Sequence, residues 1–213
     1  MRRLLALVTV AMFAAAPAHA LGKGASLFSI QLSNGTADLV EPEAGNGFIS
    51  AYDHSELGAQ VEFWHLLSDD YAFTASGGIG FFSETNEPGT NAPAAAPEAK
   101  YTQSSFSLRV GGDRVVKIGD RAIVYFGPGL QFWSGKAKFE GFAPTDVESE
   151  TVTRISLSSR IGANMMIGPN WGVGCHLGRL IGRASAEDAG AKASWWPSSL
   201  DAAGGIVFQF GGD

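Results

Sequence analysis

The sequence predicts an all-β fold: an eight-stranded antiparallel up-and-down β-barrel that crosses a membrane. Three observations predict it. Apolar and polar residues alternate with a period of two in eight segments, as in strands whose two faces meet different surroundings. The connections between these segments are alternately long and short. The chain is also poor in charge, with 17% charged residues beside 28 glycines and 14 phenylalanines, so much of its surface is unsuited to water.

The first 20 residues have the features of a secretory signal peptide. Two arginines, Arg2 and Arg3, precede an apolar run that is too short to span a bilayer as a helix. The run ends in Ala18-His19-Ala20, a small-residue cleavage site. We therefore expect residues 1–20 to be removed on export and residues 21–213 to form a single barrel domain.

Charge and cysteine content exclude several classes of site. Loss of Arg2 and Arg3 lowers the formal net charge by two, from -6 to -8, and no basic stripe is present to bind nucleic acid. The single cysteine, Cys175, cannot form an internal disulfide. One cysteine and scattered histidines cannot make a structural zinc site, so we expect no metal and no cofactor.

The eight predicted strands follow one another along the exported chain. The clearest lies between residues 154 and 165, where Ile155 and Leu157 share one face and Ser156 and Ser158 the other. The same alternation predicts strands, in order, at residues 28–33, 57–64, 71–81, 102–110, 122–132, 154–165, 171–178 and 200–210. The first residues of their apolar faces are Phe28, Leu57, Tyr71, Phe106, Ala122, Ile155, Trp171 and Leu200.

The connections favour a membrane barrel. Long connections are predicted at residues 34–55, 84–100, 135–150 and 184–196, and short ones at residues 68–70, 113–120 and 168–170. Transmembrane barrels have short periplasmic turns and longer extracellular loops, with an even number of strands. Pro128 falls in mid-strand and lacks an N–H group, so we expect a bulge or a local break in pairing there.

The two strand faces indicate which side meets lipid. A soluble binding barrel turns its apolar face inward and would carry many charges on the other face. Here the polar faces are mostly serine, glycine, glutamine and asparagine, which suit the narrow interior of an eight-stranded barrel. The apolar faces carry almost no charge, as lipid requires. The membrane orientation is therefore favoured, and a soluble periplasmic ligand-binding barrel is the less favoured alternative.

Aromatic residues near the strand ends predict an interfacial girdle. Tyrosine and tryptophan concentrate where a membrane barrel meets the headgroups. Tyr71 and Trp171 follow short turns, whereas Trp133 precedes a long connection and Trp195 and Trp196 end one. We expect these five side chains to lie at the two membrane surfaces.

Charges on the predicted inner face suggest an internal network. These residues are Glu62, Arg109, Arg154, Arg160 and Asp201. Unpaired, they would be costly in a narrow interior, so we expect salt bridges and hydrogen bonds that fill the lumen. A filled lumen is not an open solute channel.

With its signal, alternating strands, loop asymmetry and aromatic last strand, the chain resembles the small eight-stranded outer-membrane barrels. These are the outer membrane protein A and X type and the opacity-type "outer membrane protein beta-barrel domain" group. The resemblance covers essentially the whole exported chain. It implies a monomer in the outer membrane of a Gram-negative-type envelope, in contact with membrane lipid and lipopolysaccharide, with no surface ligand indicated.

The last strand carries a feature that the resemblance makes functional. In these proteins the barrel-assembly machinery reads a C-terminal strand that ends in phenylalanine, with apolar residues at alternate upstream positions. Ile206, Phe208 and Phe210 match that pattern. The following Gly211-Gly212-Asp213 departs from it, because the phenylalanine is usually the final residue. We expect these three residues to be an overhang.

Two functional classes remain besides the soluble barrel. The first is a non-enzymatic barrel with a filled lumen and mobile surface loops that serve envelope integrity, adhesion or surface interaction. The second is a lipid-modifying barrel enzyme like the lipid A deacylases, whose catalytic His and Ser are two positions apart on one strand. That spacing is absent at His54, His65 and His176. No catalytic residue is therefore predicted, and His176 is expected to be a hydrogen-bonded lumen residue.

Overall fold

The computed structural model describes residues 21–38, 53–86, 99–140, 147–148, 151–188, 191–196 and 198–211. The predicted signal peptide, residues 1–20, lies outside the described residues. So does most of the sequence of the four long connections. No helix in the described part of the chain is long and apolar enough to cross a membrane.

Eight long antiparallel strands form a closed barrel, and this confirms the predicted fold class. The strands are β1 Ser26–Asp38, β2 Asp53–Leu66, β3 Tyr71–Asn86, β4 Ala99–Ile118, β5 Ala122–Glu140, β6 Val147–Glu148, β7 Val152–Met166, β8 Trp171–Asp188, β9 Ala191–Trp195 and β10 Ser198–Phe210. Each long strand pairs with the next, and β10 closes the ring against β1. The short β6 pairs with the end of β5, and the short β9 pairs with the end of β8.

The observed strands contain all eight predicted ones but extend beyond them. Two corrections are large. β4 runs to Ile118, whereas residues 113–120 were expected to form a connection. Most of the predicted connection at residues 184–196 is strand, in β8 and β9. The inward alternation of β4 continues through Asp113 and Val115, both buried, so the strand does not end at Val110. The turn is only residues 119–121, and it begins with Gly119 at a φ of 64°, which favours glycine.

The short connections close one end of the barrel. Residues 67–70 and 167–170 form two similar turns. In the first, the N–H of Leu67 donates to the carbonyl of Tyr71 at 2.9 Å, and in the second, the N–H of Ile167 donates to the carbonyl of Trp171 at 3.0 Å. The first strand begins and the last strand ends at this same end, because Ser26 is paired with Phe210. This is the short-turn end, which the predicted topology assigns to the periplasm.

Pro128 interrupts one ladder, as predicted. The pairing of β4 with β5 is continuous up to Gly111 opposite Gly129 and resumes at Arg114 opposite Phe126. The register is the same on both sides, so the interruption is a local break and not an inserted residue. On its other side, β5 pairs with β7 without a gap, and Pro128 is opposite Ser159. The N–H of a strand residue points to only one of its two neighbouring strands. The N–H that Pro128 lacks therefore breaks only one of the two ladders.

Burial alternates along the strands with apolar side chains outside and polar ones inside. Leu32, Ile79 and Leu157 are among the outward residues and are 67–68% exposed. On β7 the intervening Ser156, Ser158 and Arg160 are buried, so the polar face is the inner one. This is the reverse of a water-soluble barrel, and it is the arrangement of a barrel whose outer face meets lipid.

An apolar plug fills the lumen at the short-turn end. It consists of Leu21, Ala25, Leu27, Trp64, Leu66, Ala72, Val115, Ile123, Tyr125, Met166 and Val207. The residues before β1 take part in it: the N–H of Gly24 donates to the carbonyl of Leu66, and the N–H of Leu66 donates to the carbonyl of Ala25, both at 2.9 Å. The start of the described chain is thus hydrogen-bonded to the barrel at the short-turn end.

The last strand has its aromatics outside, as its alternation predicts. Val207 and Gln209 are buried in the lumen, whereas Ile206 is 49% exposed. Phe208 is paired with Phe28 of β1 and with Trp171 of β8. The strand ends at Phe210, and Gly211 follows with a φ of 64°.

We predict that Phe210→Ala reduces barrel assembly, whereas deletion of residues 211–213 leaves it unchanged. Phe210 ends the closing strand, while the deleted residues follow its last ladder pair. The measurement is the fraction of heat-modifiable, folded protein in outer membranes, determined by gel mobility. Normal assembly of Phe210→Ala together with failure of the deletion would contradict the assembly role of Ile206, Phe208 and Phe210.

Candidate functional site in the barrel lumen

Arg160 of β7 lies at the centre of the lumen and binds two carboxylates. Its Nη1 donates to Glu62 of β2. Its Nη2 donates to Oδ2 of Asp113 on β4 at 2.5 Å, and its Nε donates to the same oxygen at 3.1 Å. All three residues are at most 5% exposed. Because neither β2 nor β4 is a neighbour of β7 in the sheet, these ion pairs cross the lumen.

Two aromatic rings lie against the Arg160 guanidinium on the side of the short-turn end. Its central carbon lies 4.8 Å from the ring centre of Trp64 and 5.2 Å from that of Tyr125. The two rings meet edge to face, with centroids 4.1 Å apart. Gly162 leaves room for the phenol, since a Cβ there would lie 2.5 Å from the Tyr125 hydroxyl. Cation–π contacts and carboxylates therefore hold the same cation.

Arg109 of β4 forms a second tier above Arg160. Its Nε donates to Ser158 Oγ at 2.9 Å and its Nη1 to Thr74 Oγ1 at 3.0 Å. Its Nη2 lies 3.8 Å from Asp113, so this carboxylate is shared by two arginines. Gly129 leaves the space for the guanidinium, because a Cβ there would lie within 2.8 Å of it.

The upper lumen contains the third arginine and the third carboxylate. Arg154 lies over the ring of Trp133, 5.5 Å from its centre, and donates to Ser199 Oγ at 3.2 Å. Asp201 accepts from His176 Nε2 at 3.4 Å when that nitrogen carries the proton. His176 is thus a hydrogen-bonded lumen residue.

All five residues of the expected network therefore face the lumen, but the centre of the network also includes Asp113. The predicted inner face had two acids and three bases, and residue 113 was expected in a connection. The surplus positive charge was a signal that a carboxylate was missing. The odd-numbered positions of β4 continue through 109, 111 and 113, and this periodicity identifies Asp113 as that carboxylate.

The prediction that Trp133 belongs to the aromatic girdle is wrong. It is 6% exposed and lies in the lumen on Arg154, because the odd positions of β5 face inward, as at Tyr125. Tyr71 and Trp171, 55% and 36% exposed, lie on the outside at the short-turn end, and Trp196 is 74% exposed after β9. The side chain of Trp195 lies outside the described residues.

A serine and a histidine meet on the outer surface at the short-turn end. Ser26 Oγ lies 3.0 Å from His65 Nδ1, and the two residues are directly paired across β1 and β2. No carboxylate among the described residues is hydrogen-bonded to His65. The described part of the chain therefore supplies no third group that would orient His65 for catalysis. Within the described chain, no three His, Cys, Asp or Glu side chains are grouped so as to hold a metal ion.

Comparison with known proteins identifies the family. The family described as "Outer membrane protein beta-barrel domain" matches residues 4–193. The chain belongs to this family. The match covers most of the chain, and membership places the barrel in the cell outer membrane, as the resemblance implied.

A solved outer-membrane barrel with a TM-score above 0.5 has the same fold at low sequence identity. The outer membrane protein OprG from Pseudomonas aeruginosa is 11% identical, with a TM-score of 0.55, and the alignment covers 89% of this chain and 97% of OprG. The attachment invasion locus protein Ail of Yersinia pestis is 14% identical, with a TM-score of 0.47, covering 88% of this chain and 99% of Ail. No match was found among curated proteins.

We predict that Arg160→Leu and Asp113→Asn each destabilise this family member by about 3–5 kcal/mol, the usual cost of removing one partner from a buried ion pair. The measurement is urea-dependent unfolding in detergent micelles or lipid bicelles. Restoring neutrality by combining Arg160→Met with Glu62→Gln should cost less than the sum of the two single changes.

Lys117→Gln is the matched control. Lys117 forms an exposed ion pair with Asp69 of a short turn at 2.6 Å, and its hydrogen bond and charge lower the pKa of that carboxyl. Because the pair is in water, its loss should leave the unfolding midpoint unchanged. Equal midpoints for Arg160→Leu and the unaltered protein would contradict the lumen network.

Proposed function

We propose that this protein is a non-enzymatic structural barrel of a Gram-negative-type outer membrane. Its filled lumen is closed to solutes, and its rigid wall carries four surface segments for envelope integrity, adhesion or surface interaction. The observation that carries the proposal is the Arg160 cluster, which joins three strands across the lumen. A barrel built to conduct would leave this cross-section open.

Two successive layers support a closed lumen. The apolar plug occupies the short-turn end, and the arginine–carboxylate tiers lie directly above it. Two spaces between described lumen side chains are small. One cavity of about 60 Å³ is lined by Gln60, Trp133 and Arg154, and another of about 10 Å³ lies beside Arg109 and His176. These volumes suit a few water molecules, not a passing solute.

The topology supports a display role. Three long connections, residues 39–52, 87–98 and 141–151, and the segment 189–197, which contains β9, join strands at the end opposite the short turns. Long segments fixed at both ends on a rigid barrel are suited to contacts outside the cell.

The lumen and the rim also support a non-enzymatic role. His176 and its partner Asp201 lie inside the barrel, away from the outer face where a lipid substrate would lie. On that outer face, the Ser26–His65 pair has a nucleophile and a base in contact but no orienting carboxylate among the described residues. A structural hydrogen bond across two paired strands accounts for it.

We predict that the purified barrel, reconstituted into vesicles of outer-membrane lipid, releases no entrapped small dye and no fatty acid. Dye release is followed by fluorescence and lipid cleavage by mass spectrometry of the same vesicles. The matched variant is Arg160→Ser combined with Trp64→Ser and Tyr125→Ser, which empties one level of the lumen. If this variant still shows the heat-modifiable mobility of a folded barrel, it should release dye.

Rapid dye release by the unaltered protein would contradict the closed lumen. Fatty-acid release that disappears in Ser26→Ala would contradict the non-enzymatic role and make the Ser26–His65 pair catalytic. The two readouts are independent, so each part of the proposal can fail alone.

A further inference from the structure

Two arginines of β8 face outward, where the wall is otherwise apolar. Arg179 and Arg183 are exposed and share the outer face with Leu177 and Ile181, which are 65% and 50% exposed. A cation on the lipid face is costly at the bilayer midplane, and its cost falls to nearly nothing near the interface. The depth of the two side chains therefore decides what they contact.

Both arginines lie near the outer membrane surface. Arg179 follows Trp171, at the short-turn end, by eight residues, and Arg183 follows it by twelve. With a rise of about 3.3 Å per residue and a strand tilt of about 40°, they lie roughly 20 Å and 30 Å above Trp171. The apolar band of such barrels is about 25 Å tall, so the two guanidinium groups flank its outer edge. The phosphate groups of outer-leaflet lipids are found at this level.

The described contacts leave both charges uncompensated. Arg179 Nε donates to Ser198 Oγ at 3.3 Å, and Arg183 Nη2 donates to Ser194 Oγ at 3.4 Å. No carboxylate among the described side chains lies within ion-pair distance of either group. By contrast, Lys138, an outward cation of β5, pairs with Glu140 at 2.5 Å. Each guanidinium has five N–H donors, so most remain available for an anion.

The surroundings suit a phosphorylated sugar headgroup above acyl chains. Thr153 and Ser185 are hydrogen-bonded to each other at 3.2 Å on the neighbouring outer face, beside Arg183. Below them, the exposed Leu157 and Ile181 offer an apolar wall. The cations and hydroxyls thus lie at the level of a lipid headgroup, and the apolar side chains lie at the level of its acyl chains.

We propose that Arg179 and Arg183 bind the phosphate groups of a phosphorylated glycolipid in the outer leaflet. The two Cα atoms are four residues apart on one strand, about 13 Å, so each arginine can hold a separate phosphate of one headgroup. Arginine suits this role because its planar fork donates two hydrogen bonds to a phosphate. The proposal deepens the proposed function, on which it rests for the long connections facing the outside.

The test measures binding of purified lipopolysaccharide to the barrel in nanodiscs of neutral lipid. The affinity of the Arg179→Gln/Arg183→Gln variant should fall roughly thirty-fold, and that of each single variant roughly five-fold, from the attraction of one cation to an anionic lipid surface. Lipopolysaccharide stripped of its phosphates should bind the unaltered protein as weakly as it binds the double variant. Lysine at both positions should restore part of the affinity.

Arg114→Gln is the matched control, because Arg114 is an exposed outward arginine of β4 near the short-turn end. It should bind lipopolysaccharide as the unaltered protein does. Equal affinities for the double variant and the unaltered protein, or for intact and dephosphorylated lipid, would overturn the site. Complete displacement of lipopolysaccharide by millimolar inorganic phosphate would also overturn it, since the site would then bind free phosphate. Dye release from vesicles is independent of these outcomes, so it tests the closed lumen separately.

Discussion

The structure depends on one constraint: a strand in a bilayer cannot leave polar groups without partners. The backbone meets this constraint by closing β10 onto β1, which leaves no unpaired edge in the ring of eight. The side chains meet it by facing inward and neutralising one another. Arg160 is central because its guanidinium joins Glu62 and Asp113 from strands that share no ladder with its own. Removal of one of these charges leaves another buried without compensation.

The same constraint connects the lumen to the outer surface. Among the described side chains, three acids and three arginines face inward, so the formal charges of this part of the lumen balance. The outer face can then be almost uniformly apolar, and the few outward cations are informative. The outward Lys138 has a carboxylate partner, whereas Arg179 and Arg183 have only serines among the described side chains. A closed barrel of this kind acts through its surfaces and its long connections.

Much of the fold could be predicted because alternation with a period of two is a direct consequence of a wall between lipid and a narrow lumen. All eight strands and the direction of both faces follow from it. The strand ends do not, because β4 and β5 continue beyond the apolar band, where the outer face no longer has to be apolar. Asp113 was not identified because residues 113–120 were assigned to a short connection. The prediction for Trp133 was wrong because it relied on the position of this residue near a strand end. Trp133 is an even number of residues from Tyr125, so both side chains face the lumen.

The central claim, that the apolar face meets lipid and the polar face fills the lumen, is tested most directly by nuclear magnetic resonance of methyl-labelled protein in lipid bicelles. Two pairs of adjacent residues at different depths are decisive: Leu180 beside Ile181 and Val207 beside Ile206. The account predicts cross-peaks from lipid acyl chains to the methyl groups of Ile181 and Ile206 and none to those of Leu180 and Val207. Acyl-chain cross-peaks to Leu180 and Val207 would contradict it.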